Sequence, residues 1–134
     1  PPCRMKFMLS VLLLVGLSSV LQATLQTVTI SGQVICNERR WPDVLVELWE
    51  YDILSGNDLM GSTRSDNGGD FNLTGSERER WSIKPFVRFT HDCNVKPGCL
   101  RVVDYDVPQE FINGTYHMSY INLNAFDPAE REKC

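Results

Sequence analysis

Alternation of apolar and polar residues, in runs too short and too often interrupted for a packed helix, is the feature of this chain that most restricts its fold. Between residues 27 and 34, Val28, Ile30, Gly32 and Val34 fall on one face and Thr27, Thr29, Ser31 and Gln33 on the other, the period of a half-buried strand. Cys36 continues the inward face. Val44, Val46 and Leu48 repeat the pattern, with Leu45, Glu47, Trp49 and Tyr51 opposite. Further β-rich runs follow at 59–64, 71–74, 86–93, 100–107 and 118–125, separated by Gly, Pro, Asn and Asp. The charged stretch 76–80 has no apolar stripe and reads as a loop. Seven such runs without a helical period of useful length predict an all-β fold, an antiparallel β-sandwich of seven to eight strands.

Ahead of these runs, Arg4 and Lys6 precede an apolar segment at 7–17, and small and polar residues follow up to Ala23. This is the three-part layout of a secretory signal peptide, and the apolar segment falls short of the roughly 20 residues that span a bilayer. The expected organisation is a signal peptide at 1–23 and one β-sandwich domain at 24–134, with no transmembrane segment after cleavage. A start at Met5 gives the better-proportioned leader and places Pro1–Arg4 upstream of it. Cys3 goes with the leader, so Cys36, Cys93, Cys99 and Cys134 remain. An even number without C-x-x-C spacing points to two disulfides and an oxidising, extracellular compartment. Loss of Arg4 and Lys6 leaves 11 basic against 17 acidic side chains, a net charge of about −6, which excludes a broad basic surface for nucleic acid.

The candidates for chemistry are sparse. His91 and His117 are the only histidines, and nothing in their spacing brings them together with each other or with Asp92. His91 shares the face of Val87 and Phe89 and reads as a core-edge residue with one hydrogen-bond partner. No metal-ligand spacing and no activated nucleophile is recognisable, so neither catalytic residues, metal nor cofactor is expected. The 66–70 segment, DNGGD, is a turn rather than a calcium loop, since it lacks the spaced ligands and distal Glu of an EF-hand. Arg39 and Arg40 beside Trp41 read first as a solvated loop with the indole packed over the sandwich edge. Functionally, the two guanidinium groups offer a clamp for a phosphate or anionic head group. Trp49 and Tyr51 form the second candidate surface, an apolar stripe on the outer face of their strand.

Several of these residues occur together in one known family. Val28, Gly32 and Cys36, the strand Val46-Glu47-Leu48-Trp49, the motif Asp66-x-x-Gly69-x-Phe71 followed by Leu73 and Gly75, Pro85, the tripeptide His91-Asp92-Cys93, Cys99, and Val107-Pro108-x-x-Phe111-Ile112 resemble the nematode transthyretin-like proteins. The resemblance runs from about residue 27 to the C-terminus. It implies a secreted prealbumin-like sandwich without cofactor, acting as an extracellular binding or bridging protein, in some members at exposed lipid on dying cells. Its expected partner is an extracellular protein, a lipid head group or a small apolar ligand. Two departures matter. Only the short 94–98 loop stands where vertebrate transthyretin carries a helix, and the chain ends AEREKC where hydroxyisourate hydrolases end in a Tyr-Arg-Gly-Ser tetrapeptide. A carrier of small apolar ligands, or less favourably a hydrolase of that type, is the alternative to a binding module.

Four cysteines allow three pairings. Cys93–Cys99 would close a hairpin loop and Cys36–Cys134 would staple the end of the first strand to the C-terminal tail, so these are the pairs expected. Asn72-Leu73-Thr74 and Asn113-Gly114-Thr115 are glycosylation sequons, each expected at the surface.

Overall fold

The computed structural model describes residues 22–125 and 127–134. The predicted leader at 1–23 therefore lies almost wholly outside the described residues. Among the described residues nine strands form two sheets: β1 (Thr24–Cys36), β2 (Arg39–Arg40), β3 (Leu45–Glu50), β4 (Asp58–Arg64), β5 (Asp70–Glu79), β6 (Pro85–His91), β7 (Leu100–Asp106), β8 (Gly114–Asn122) and β9 (Arg131–Lys133). In one sheet β1 is central, flanked along one edge by β5 and β2 and along the other by β8. The other sheet has the order β4-β3-β6-β7-β9. All pairings are antiparallel except that of β1 with β8. A single 3-10 turn, Gln109–Phe111, intervenes before β8.

The expected β-sandwich is thus present, with two very short strands that carry no alternation long enough to read. One expectation fails. The charged stretch 76–80 is no loop over most of its length, because Ser76–Glu79 continue β5 and pair with Thr24–Thr27 of β1. Main-chain bonding continues where the apolar pattern stops.

The core lies between the sheets and is built from the inward alternation of both. Val28, Ile30 and Val34 of β1 and Phe71 and Leu73 of β5 meet Val46 and Leu48 of β3 and Val87 and Phe89 of β6. Phe89 is the hub, with edge-to-face contacts to Phe71 at 5.4 Å and Tyr105 at 5.7 Å between ring centroids. The turn between β4 and β5 is closed by Asp66, whose Oδ1 accepts the Gly68 and Asp70 amides, both at 2.9 Å. Gly69 sits there at φ +75°, and a side chain would meet the Val34 carbonyl oxygen at 2.6 Å. Asp66 is committed to this turn, as the sequence reading held.

The disulfides differ from the expected pairs. They are Cys36–Cys93 and Cys99–Cys134. Cys36 ends the inward face of β1 and Cys93 follows β6 into the core, so their bond joins the two sheets with both residues fully buried. Cys93 consequently points away from Cys99 at the rim. The pairing of Leu100 with Lys133 in the β7–β9 ladder then places Cys134 directly opposite Cys99. The hairpin-loop and strand-to-tail pairing is thereby corrected, because side-chain direction and a short terminal strand decide what nearness in sequence cannot.

Candidate functional site

At the end of the sandwich where β1 begins, two loops are held in shape by specific hydrogen bonds. In the loop after β3, Asp52 accepts the Leu54 amide at 2.8 Å and the Ser55 hydroxyl at 2.7 Å. Those bonds, the Ser55 hydroxyl foremost, keep the Asp52 carboxyl below the usual carboxylate range. A self-closed tip results that leaves Ile53 75% and Leu54 96% exposed. In the loop after β5, the buried amide of Gln26 donates to the Trp81 carbonyl at 2.8 Å and accepts the Ile83 amide at 3.0 Å. The Tyr51 amide joins the two loops by donating to the Lys84 carbonyl at 2.9 Å. Between them lies a cleft of about 550 Å³, lined by Tyr51, Ile53, Leu54 and Trp81 together with Arg78, Arg80 and Lys84. Glu50 and Glu79 form part of its wall.

Two buried ionisable groups stand out. Glu50 is 4% exposed at the inner end of β3, and its carboxyl is pushed up to about 7. Burial is the main cause, followed by the charges of Glu79, Glu77, Asp58 and Asp52. His91 is sealed in the core, where Nδ1 accepts the Cys93 amide at 3.0 Å and Nε2 faces Glu130 at 3.5 Å. Glu130 is in turn held by Arg101. Burial holds the imidazole below its ordinary range against the opposing pull of Glu130. With a fully buried side chain, His91 has no route to an external substrate, so the arrangement ties the C-terminal segment to the core. Glu130 escaped the sequence reading because it is far from His91 in the chain and arrives through the loop before β9.

The residues singled out from the sequence are scattered. Arg39 and Arg40 are exposed on β2, but Trp41 is turned from them, half buried, with its indole N–H donating to Asp92 at 2.9 Å. Arg40 borders a shallow groove that also holds Asp66 and Asp70. Trp49 does lie on the outer face of its sheet, yet it is covered by the Arg88 guanidinium, which stands 5.5 Å from its ring and 5.4 Å from that of Phe86. Asp104 fixes Arg88 there at 2.8 Å. Tyr51 follows the end of β3 and is half exposed in the cleft. His117 is exposed on β8, with Nδ1 2.7 Å from the Ser31 hydroxyl, and does not approach His91. Asn72 and Asn113 are both at the surface. The cleft itself was missed because its apolar residues, Ile53, Leu54 and Trp81, lie in loops where no periodicity marks them; consecutive apolar residues inside a turn were the available signal.

Fold and site together define a disulfide-stapled β-sandwich with a loop-built cleft at one end. A model of the transthyretin-like family (TTR-52) matches residues 31–108. The chain is 39% identical to transthyretin-like protein 16 of Caenorhabditis elegans over 97% of its own length and 99% of that protein's. It is 33% identical to transthyretin-like protein 5 of the same organism, covering 92% and 94% of the two chains. The protein belongs to the transthyretin-like family. Among solved structures, a 9R-lipoxygenase from Cyanothece PCC8801 aligns over 81% of this chain and 18% of its own at TM-score 0.48 and 17% identity, a likeness too weak to carry function.

Proposed function

We propose that this protein is a secreted extracellular binding module that attaches to an anionic lipid surface through the cleft and loop tip formed by Tyr51, Ile53, Leu54 and Trp81. The observation that carries the reading is the tip. Ile53 and Leu54 are among the most exposed apolar side chains described, and the Asp52 bonds hold them outward instead of letting them collapse onto the sandwich. An apolar pair of this kind is costly in water and is stabilised once it enters an acyl boundary, where an indole such as that of Trp81 is also at home. Arg78, Arg80 and Lys84 around the cleft can meet anionic head groups in a protein of formal charge −4. The reading requires no turnover, and the sealed position of His91 accords with that.

Arg39 and Arg40 remain a candidate second contact. They lie at the opposite end of β1, whose 13 residues span about 40 Å. Two surfaces so far apart suit a bridging role.

Flotation with vesicles of phosphatidylcholine alone and of phosphatidylcholine with phosphatidylserine tests the proposal. Ile53→Ser combined with Leu54→Ser should abolish flotation with the anionic vesicles, and Arg39→Ala combined with Arg40→Ala should leave it largely intact. Undiminished flotation of the Ile53/Leu54 variant would refute the assignment of the tip. A Trp81 emission shift with small apolar molecules but not with vesicles would favour the carrier alternative.

A further inference from the structure

The inward faces of two strands on opposite sheets both end in carboxylates. On β3 the buried alternation Val46, Leu48 terminates at Glu50, and on β5 the sequence Phe71, Leu73, Gly75 is followed by Glu77 and Glu79. Asp58 of β4 stands directly across the ladder from Glu50. One oxygen from each of these four side chains lies within 4.8 Å of the others.

Acidic groups crowd together on many proteins without binding anything, and the cluster alone would mean little. Glu50 changes that. It is 4% exposed, its Oε2 is buried without a hydrogen-bond partner, and its carboxylate is aimed into the other three. None of the ion pairs among the described residues reaches any of the four. Arg78, Arg80 and Lys84, which line the adjoining cleft, are not engaged with them. A buried carboxylate without a donor, facing three more, requires either a proton or a cation.

We propose that Glu50, Asp58, Glu77 and Glu79 form a binding site for one divalent cation, with Ca²⁺ the ion that it fits. An all-oxygen donor set without imidazole or thiolate selects hard ions. The four oxygens all lie within 4.8 Å of one another, close enough for one ion to touch them all, and calcium accepts such an all-protein carboxylate cage whereas magnesium keeps several of its waters. The site is independent of the lipid reading, since it is judged on the cation alone.

Calorimetric titration and thermal melts of the oxidised protein at neutral pH, in chelator and in Ca²⁺, provide the test without lipid. For affinities of about 0.1–1 mM, a few millimolar Ca²⁺ should shift the unfolding equilibrium roughly 5- to 50-fold and raise the midpoint by about 4–10 °C, with one ion bound. Glu50→Gln should remove the shift yet melt no lower than the parent in chelator, because it relieves repulsion. Should that variant fail to fold, Asp58→Asn is expected to weaken binding at least fivefold. Absence of binding heat and of any midpoint shift with Ca²⁺, Mg²⁺ or Mn²⁺ would overturn the proposal and leave a proton as the partner of Glu50. Ca²⁺ binding unchanged by both substitutions would equally overturn it.

Discussion

The two disulfides close loops of similar length but should differ several-fold in what they contribute. Replacing Cys36 and Cys93 by Ala frees a chain separation of 57 residues, and replacing Cys99 and Cys134 frees one of 35. Unfolded-state entropy alone assigns about 4 kcal/mol to each. Their positions break the tie. The Cys36–Cys93 bond joins the two sheets within the core, so nothing can relax without opening the sandwich, and loss of the packed sulfurs adds about 1 kcal/mol. Cys99–Cys134 ties down a tail whose only strand, β9, has three exposed residues. In its absence the tail can detach while both sheets stay folded, which limits the measured loss to its docking, about 1–2 kcal/mol, much of it from Glu130 against Arg101 and His91. At about 4 °C per kcal/mol the core pair should cost about 15–20 °C of thermal midpoint and the rim pair about 4–8 °C. Scanning calorimetry of the two double variants, with non-reducing peptide mapping of the parent, measures both. Equal losses, or a peptide linking Cys93 to Cys99, would refute the reasoning.

Three further outcomes are expected. His91, held below the imidazole range, takes up its proton mainly in the unfolded chain, so its contribution is present above about pH 6.5 and is lost as pH falls; Glu50, raised to about 7, contributes below about pH 4.5 and loses this as pH rises through 7. In chelator, urea titrations from pH 5 to 8 should therefore show His91→Gln losing the acid-side decline and Glu50→Gln losing the decline towards pH 8, and unchanged slopes would refute both assignments. Gly69→Ala should destabilise by about 2–4 kcal/mol, combining left-handed backbone strain with the contact at the Val34 carbonyl, and a midpoint within about 2 °C of the parent would refute this. Asn72 and Asn113 are both exposed, so material from a eukaryotic secretory host should lose mobility shifts in two steps, one with Asn72→Gln and one with Asn113→Gln.

Strand class was legible because alternation is local. Val28, Ile30 and Val34, or Val46 and Leu48, declare their faces whatever they pair with, since successive side chains on a strand must point to opposite sides. The family was legible for a related reason, its motifs being short and contiguous: D-x-x-G-x-F surrounds a turn that only Gly69 can make, and H-D-C delivers Cys93 to the core. Everything that depends on which strands face each other had to await the tertiary structure. The same inward alternation that buries Leu48 also buries Glu50, but its three acidic neighbours come from β4, beside it in the same sheet, and from β5, across the interior, and neither register is written in the sequence of a single strand. Trp41 was expected to pack over the sandwich edge and does, but the partners that hold Trp41 and cover Trp49, Asp92 and Arg88, are both distant in the chain and could not be named from it. The cysteine pairs differ from expectation on the same ground: hydrophobic period determines the face on which a side chain lies, whereas partners across the core are chosen by the packing of one whole sheet on the other.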